Sequence, residues 1–485
     1  MDNAEKKTED KVETCLIIAP HPDDEINLAG QLIVELKKSN KNIYVLYTTN
    51  GDWTKKIGNK RLIEAIKSLA VLGVPESDII FLGYSNEWEK DQHIYNFTDE
   101  SASLTSASGR TETSAMTDHP EYCMKTLGIH HKYTRENFKI DLKMAILDIR
   151  PDLIVCVSLD SHPDHKAAYF MFTEVLGEIL YENEDYRPIV LEKFAYSGVW
   201  KGEKDYYTSP MMSTQNTING KIDGIIYDTE SPYLKWKDRI CFQTPKETRT
   251  SLLTRNILYL AAKKHKSQIA WYQMLRVINS DIVYWWRPTC SLSYSAQIEV
   301  TSGKKEPLYD FKLFDMSNLN CGFIEEDAEN YLWRPKESDK SKKIDIIFKE
   351  AKSVEELWIY EDFYQQNRIK SIEIIYDDSE TEQIKKTGSM DEIIWKIPIG
   401  LRVVKKISIR IKEYEGIPGI AEIEIYDHKV NFWNDCSIGL KSYVETGIEG
   451  NKKSLVQYIE YLYLNMKLLV KYKIKHEIIN KIKKR

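Results

Sequence analysis

The stretch CLIIAPHPDDE, Cys15–Glu25, decides the fold. Its first half is a continuous apolar run and reads as a buried strand. Its second half turns polar at once. Ile26, Ala29, Leu32, Ile33 and Leu36 then recur at helical spacing. A buried strand, a polar turn and an amphipathic helix in that order form the opening of an α/β unit.

The same rhythm continues outward. NIYVLYT (Asn42–Thr48) reads as a second strand, and Leu62, Ile66, Leu69 and Leu72 mark the next helix. IIFL (Ile79–Leu82) is a third strand, Arg135–Ile149 a helix, DLIVCVS (Asp152–Ser158) a fourth strand and Lys166–Leu180 a helix. Alternation of this kind predicts a Rossmann-like, mostly parallel sheet covered on both faces, over residues 1–294. Such sheets hold their ligands at the carboxyl ends of the strands. Two stretches break the rhythm: Gln92–Lys132, rich in Ser and Thr, and Gly202–Lys246, rich in Tyr, Trp and Asn. Loops of that length are usually lids, binding loops or disorder, and both stretches could overhang the strand ends.

Beyond Tyr294 the period changes to two. KKIDIIF, EELWIYE, IKSIEIIYD, KKISIRIK and GIAEIEIYD alternate apolar and polar residues between turn signals, which predicts an antiparallel β-sandwich over residues 295–428. With separate core patterns, the two regions are expected to fold independently. Residues 429–485 read as a helical basic tail ending in KLLVKYKIKHEIINKIKKR. Leu468, Leu469, Tyr472, Ile478, Ile479 and Ile482 would form its apolar stripe. A basic amphipathic helix can lie on an anionic membrane surface or pack on the protein with its lysines in water.

Composition narrows the classes. The 485 residues are 42% hydrophobic, enough for at least two cores. A formal net charge of −6 argues against nucleic acid as a partner, since phosphate neutralisation needs a basic field. The 30 Tyr and 11 Trp suit either sugar binding or the packing of a β-rich protein. Seven scattered cysteines without a CxxC pair read as reduced thiols. The charged N-terminus MDNAEKKTEDKVET lacks the apolar core of a signal peptide, and no stretch reaches the ~18 apolar residues of a membrane span. The expected location is the cytoplasm, peripheral to a membrane if the tail docks there.

Two polar segments fall where the sheet would place its site. Pro20-His21-Pro22-Asp23-Asp24-Glu25 follows the first strand, and Ser161-His162-Pro163-Asp164-His165 follows the fourth. Taken alone, the acids could merely stabilise a helix N-terminus and the second segment could be a polar turn. Jointly they supply a metal site. A catalytic zinc needs three His or carboxylate ligands and one open position. His21 and Asp24, three apart on a tight turn, can converge, and His165 can complete the set. Asp23 is left to accept a proton from water, His162 to stabilise a tetrahedral oxyanion and Asp164 to orient His162. Such a 2-His-1-carboxylate set can also hold iron(II).

Together these motifs resemble the PIG-L/LmbE-like deacetylases, from about Cys15 to Pro288. Further points of likeness are Thr49-Asn50-Gly51-Asp52, Arg61 with Glu64, Phe81-Leu82-Gly83-Tyr84, Tyr133–Asn137 and Lys264–Gln268. The resemblance implies zinc on His21, Asp24 and His165, Asp23 as general base, and His162, oriented by Asp164, as the acid or oxyanion-stabilising residue. It also implies a substrate contact at Arg61. Arg135 and His265 are weighed for the same role, with a structural ion pair as the alternative for each arginine. Where many relatives carry an acidic residue after FLGY, this chain has Ser85. The region from about Pro307 to Tyr426 resembles the discoidin-like, galactose-binding-type sandwich, which implies carbohydrate or lipid-headgroup binding. The expected activity is removal of the acetyl group from an N-acetylated, GlcNAc-type sugar in a glycolipid or glycan precursor. The alternatives are an amidase acting on a thiol-sugar or other amide conjugate, and a non-catalytic carbohydrate-binding scaffold.

Overall fold

The computed structural model describes residues 12–195 apart from 53–57, 88–92 and 160–161, and scattered positions between 221 and 268. It further describes residues 282–440 apart from 314–330, 363–366 and 388–391, and six positions between 459 and 470. Most of the second irregular stretch and nearly all of the tail's apolar stripe lie outside the described residues.

The apolar runs form the predicted strands. β1 (Thr14–Ala19), β2 (Asn42–Thr49), β3 (Ile79–Tyr84) and β4 (Leu153–Val157) pair in parallel in the order β3-β2-β1-β4. Four helices connect and cover them: α1 (Asp24–Lys38), α2 (Gly58–Val71), α3 (Tyr122–Leu127) and α4 (Arg135–Ile149), with α5 (Pro163–Glu182) following β4. Three strands escaped the sequence reading. β5 (Ile189–Lys193) is parallel to β4, while β6 (Ile240–Phe242) and β7 (Ile282–Arg287) close that edge antiparallel, giving seven strands in all. The short α6 (Ile257–Ala262) packs on α1 and α2. Among the described residues no helix is long and apolar enough to cross a membrane.

The sandwich is built from β8 (Gln297–Val300), β9 (Lys343–Glu361), β10 (Arg368–Tyr376), β11 (Glu380–Lys385), β12 (Ile394–Glu415) and β13 (Ile420–Tyr426), all antiparallel. KKIDIIF and EELWIYE, which read as two strands, belong to the single strand β9. The segment Lys349–Lys352 between them is exposed, and the pairing with β12 shifts register there. The segment bends the ladder without ending it, as a bulge does. Ile344, Ile346, Leu357, Ile359, Ile407, Ile409, Ile423 and Ile425 belong to the buried core of this unit.

Independent cores are only half realised. The sandwich has its own core, but the α/β core runs on into it through Trp358, Tyr360, Ala421, Tyr426 and Phe432. The strand period explains this. Along β9, Leu357 and Ile359 face the sandwich interior while Trp358 and Tyr360 face the α/β unit. The units also touch at Gly177 on α5, where a Cβ would lie 1.9 Å from the carbonyl oxygen of Asp310. Only glycine permits that approach.

Candidate active site

β1 delivers the chain into the turn Pro20–Asp23, and α1 begins at Asp24. The His21 N–H donates to Asp24 Oδ2 (3.1 Å), and the Asp24 N–H donates to the His21 carbonyl (3.1 Å). Asp24 and Glu25 occupy the first turn of α1, where its dipole favours acids. Asp23, just before it, has φ 137° and ψ −22°. Side-chain-bearing residues rarely adopt such a conformation. At the end of β4, Pro163 opens α5 with His162 as its N-cap, accepting the Asp164 N–H at Nδ1 (3.1 Å).

These two turns bring three donor atoms into a near-equilateral triangle. Nδ1 of His21 lies 3.1 Å from Oδ2 of Asp24 and 3.0 Å from Nε2 of His165, which lies 3.1 Å from the same Asp24 oxygen. All three side chains are buried. His162 also belongs to the cluster: its ring nitrogen can lie with those of His21 and His165 within 4.8 Å of one another.

Asp164 serves His21 more directly than His162. Its Oδ2 is 2.8 Å from His21 Nε2 and accepts from Asn86 Nδ2 (2.7 Å) and the Glu87 N–H (3.1 Å), while Oδ1 is 2.7 Å from His93 Nε2. Its carboxylate stands 3.9 Å from His162 Nδ1, so the orienting contact to His162 comes from the Asp164 backbone.

Arg61 is buried and holds the site together. Nη2 reaches Asp23 Oδ1 (3.3 Å) and the Pro22 carbonyl (3.2 Å), and Nη1 reaches Asn86 Oδ1 (3.1 Å). Glu64, the partner anticipated for it, accepts instead from Ser267. His265 joins through Glu25, at 2.7 Å, and Glu25 in turn accepts the Asp23 N–H (2.9 Å). Arg135 sits elsewhere, paired with Glu174 (3.0 Å) and lying 4.0 Å over the Tyr95 ring.

The electrostatics separate the carboxyls. Burial works against the Asp24 carboxylate, but His165 and His21 hold it far below the usual range. Asp164 is likewise held low by His21 and His93 against its burial. Asp23 is pushed up to about 6 by burial, opposed by Arg61 and reinforced by Asp24. His162 is pushed down to about 2 by burial and by its neighbours His21 and His165, so its ring is neutral. A carboxyl near 6 is suited to exchange protons at neutral pH.

Asn86, Glu87, His93 and Glu25 were not read as site residues. Asn86 and Glu87 follow the end of β3, the same topological position as the two motifs, and that signal would have found them. Glu87 is pushed up to about 8 by burial and by facing Asp164. His93 comes from the long Ser- and Thr-rich stretch, so that loop does reach over the strand ends.

The residues present fit a metal ion. Two imidazoles and a carboxylate, with edges near 3 Å, match the donor spacing around a small divalent cation. The other Asp24 oxygen, Oδ1, is buried without a hydrogen-bond partner. The second nitrogen of His21 is fixed by a carboxylate, as metal-binding imidazoles require.

Comparison with known proteins agrees on this region. Residues 16–176 match the PIG-L family profile, described as GlcNAc-PI de-N-acetylase. No curated protein matches the chain. Among solved structures, a Streptococcus pneumoniae fucose binding module, SpX-3, is similar at 20% identity over 29% of this chain and 98% of its own, with a TM-score of 0.23. The family 32 CBM from C. perfringens NanJ, in complex with galactose, is similar at 14% identity over 27% of this chain and 94% of its own (TM-score 0.22). A conserved protein from Thermus thermophilus, TT1542, is similar at 18% identity over 36% of this chain and 59% of its own (TM-score 0.24).

Proposed function

We propose that this chain, with its PIG-L family domain at residues 16–176, is a metal-dependent hydrolase that removes the acetyl group from an N-acetylated sugar. The observation that carries the reading is the triangle of His21, Asp24 and His165, which would hold the ion. Zinc suits those donors, with iron(II) as the second choice. When bound, such an ion polarises a carbonyl and acidifies water.

The chain's own residues supply the remaining steps. Asp23, held by Arg61, takes a proton from the attacking water. The water oxygen bonds to the acetyl carbon, the carbon–nitrogen bond breaks, and the proton passes to the leaving amine, giving acetate and a free amino sugar. His162 accepts at Nδ1, so its neutral ring carries its proton on Nε2 and donates to the developing oxyanion. A GlcNAc-type sugar in a glycolipid or glycan precursor is the preferred substrate, and a thiol-sugar amide the second reading.

A second contact for carbohydrate lies between the two units. A cavity of about 560 Å³ there is lined by Trp285, Trp286, Trp358, Trp395 and Trp433, with Lys396 3.7 Å over the Trp358 ring. Aromatic faces beside polar groups suit a sugar ring.

The test is acetate release by metal-loaded full-length protein from a panel of N-acetyl sugars and thiol-sugar amides. Asp23→Asn should keep the metal and lose ~10²–10⁴-fold in rate. Absence of acetate from every sugar, with metal bound, would overturn the reading.

A further inference from the structure

Beyond the site just described, a second group of metal-ligating side chains converges on the far side of β3. Cys123 comes from α3, Asp141 from α4, and His131 from the link between them. One donor atom of each lies within 4.8 Å of the others. Cys123 and Asp141 are buried, while the His131 side chain keeps 12% of its surface exposed.

The carboxyl of Asp141 is only half satisfied. Its Oδ2 accepts the Tyr84 hydroxyl (2.6 Å) and lies 3.0 Å from His131 Nδ1. Its Oδ1 is buried, 2.9 Å from the same nitrogen, and makes no hydrogen bond of acceptable geometry. An unsatisfied buried carboxyl oxygen is costly. Near the Cys123 sulfur lie the Thr113 hydroxyl at 3.2 Å and the backbone N–H of His131. A cation among the three donors would satisfy the orphaned Asp141 oxygen.

We infer that Cys123, His131 and Asp141 form a second metal site, distinct from the acetyl-hydrolysing centre, that takes a divalent transition ion of the zinc type. A thiolate and an imidazole exclude magnesium and calcium, which demand oxygen ligands. Three protein ligands leave one position for water, reached from the exposed edge of His131. The ligands sit on α3, α4 and the chain between, so the ion would pin residues 122–131 onto α4. Past Tyr122, which joins the α/β core, the stretch has little apolar anchoring: Met124, Leu127 and Ile129 are exposed. The role is therefore structural.

Cobalt(II) separates the two sites optically. The acetyl-hydrolysing centre offers nitrogen and oxygen donors only, so a thiolate-to-cobalt charge-transfer band reports a cysteine ligand. Metal-free full-length protein titrated with cobalt(II) should take up about two equivalents and develop that band. Cys123→Ser should abolish the band and lose about one equivalent, while His165→Ala should lose the other and leave the band intact. The inference is overturned if the folded full chain shows no band, or if the band survives in Cys123→Ser. Should Cys123→Ser fail to fold by circular dichroism, His131→Gln at the part-exposed ligand decides. Loss of the band supports the site and an undiminished band overturns it.

Discussion

Nη2 of Arg287 lies 3.6 Å from Oε1 of Glu424, and both side chains are buried where the α/β sheet meets the sandwich. The Arg287 guanidinium stacks 4.3 Å over Phe311 and 4.9 Å over Tyr360. Glu424 accepts the hydroxyls of Tyr360 (2.7 Å) and Tyr426 (2.6 Å). Glu422, beside it, is pushed well above the usual carboxyl range by burial. This polar seam lies within a core shared by both units, and breaking it exposes charge to an apolar setting.

The first prediction follows from that seam. Full-length protein should unfold in one calorimetric transition across both units, because the α/β core is completed by residues of the sandwich. Arg287→Ala should cost about 3–5 kcal/mol by leaving the buried Glu424 without its cationic neighbour. Two well-separated transitions, or a loss under ~1 kcal/mol, would show the units to be energetically independent.

Asp164 yields the second prediction. Its contact to His21 Nε2 fixes the ring whose other nitrogen belongs to the donor triangle. Asp164→Asn should therefore weaken metal binding by ~10–100-fold, measured by competition with a chelating dye. Unaltered affinity would mean that His93 and Asn86 are what Asp164 exists to hold.

Glu174 on α5 provides a pH test away from the site. Burial would raise its carboxyl, but Arg135, Lys312 and Lys139 bring it down to about 2, from an ordinary 4.5. A depressed carboxyl contributes stability above its unfolded value and loses it as pH falls through the folded one. Glu174→Gln should thus cost roughly 1–3 kcal/mol at pH 7, with the difference shrinking between about 4.5 and about 2. Denaturant unfolding across that range is the measurement. A pH-independent difference would assign the loss to packing.

Much of the α/β framework was legible because continuous apolar runs such as CLIIA and DLIVCVS admit few other readings. His21, Asp24 and His165 were legible because each motif abuts the end of a strand, and strand ends are where such sheets gather ligands. β5 to β7 were missed: they lie among irregular segments, and two of them run antiparallel to the repeat. One partner of Asp164 was invisible for another reason. His93 is 71 positions away in a stretch without periodicity, so nothing local marks it. The contact of Glu25 with His265, 240 positions apart, was equally beyond a local reading. The joining of KKIDIIF to EELWIYE depends on a bulge, which a period-two pattern cannot report.

The backbone at Asp23 sets a trap for anyone seeking a hardier version of this protein. Only glycine takes a φ of 137° freely, and holding any other residue there costs of the order of 1–3 kcal/mol. A screen that rewards heat resistance alone should therefore enrich Asp23→Gly, which relieves the distortion and removes the carboxylate paired with Arg61. Its winners would be sturdier molecules that lack the carboxylate proposed to draw a proton from water.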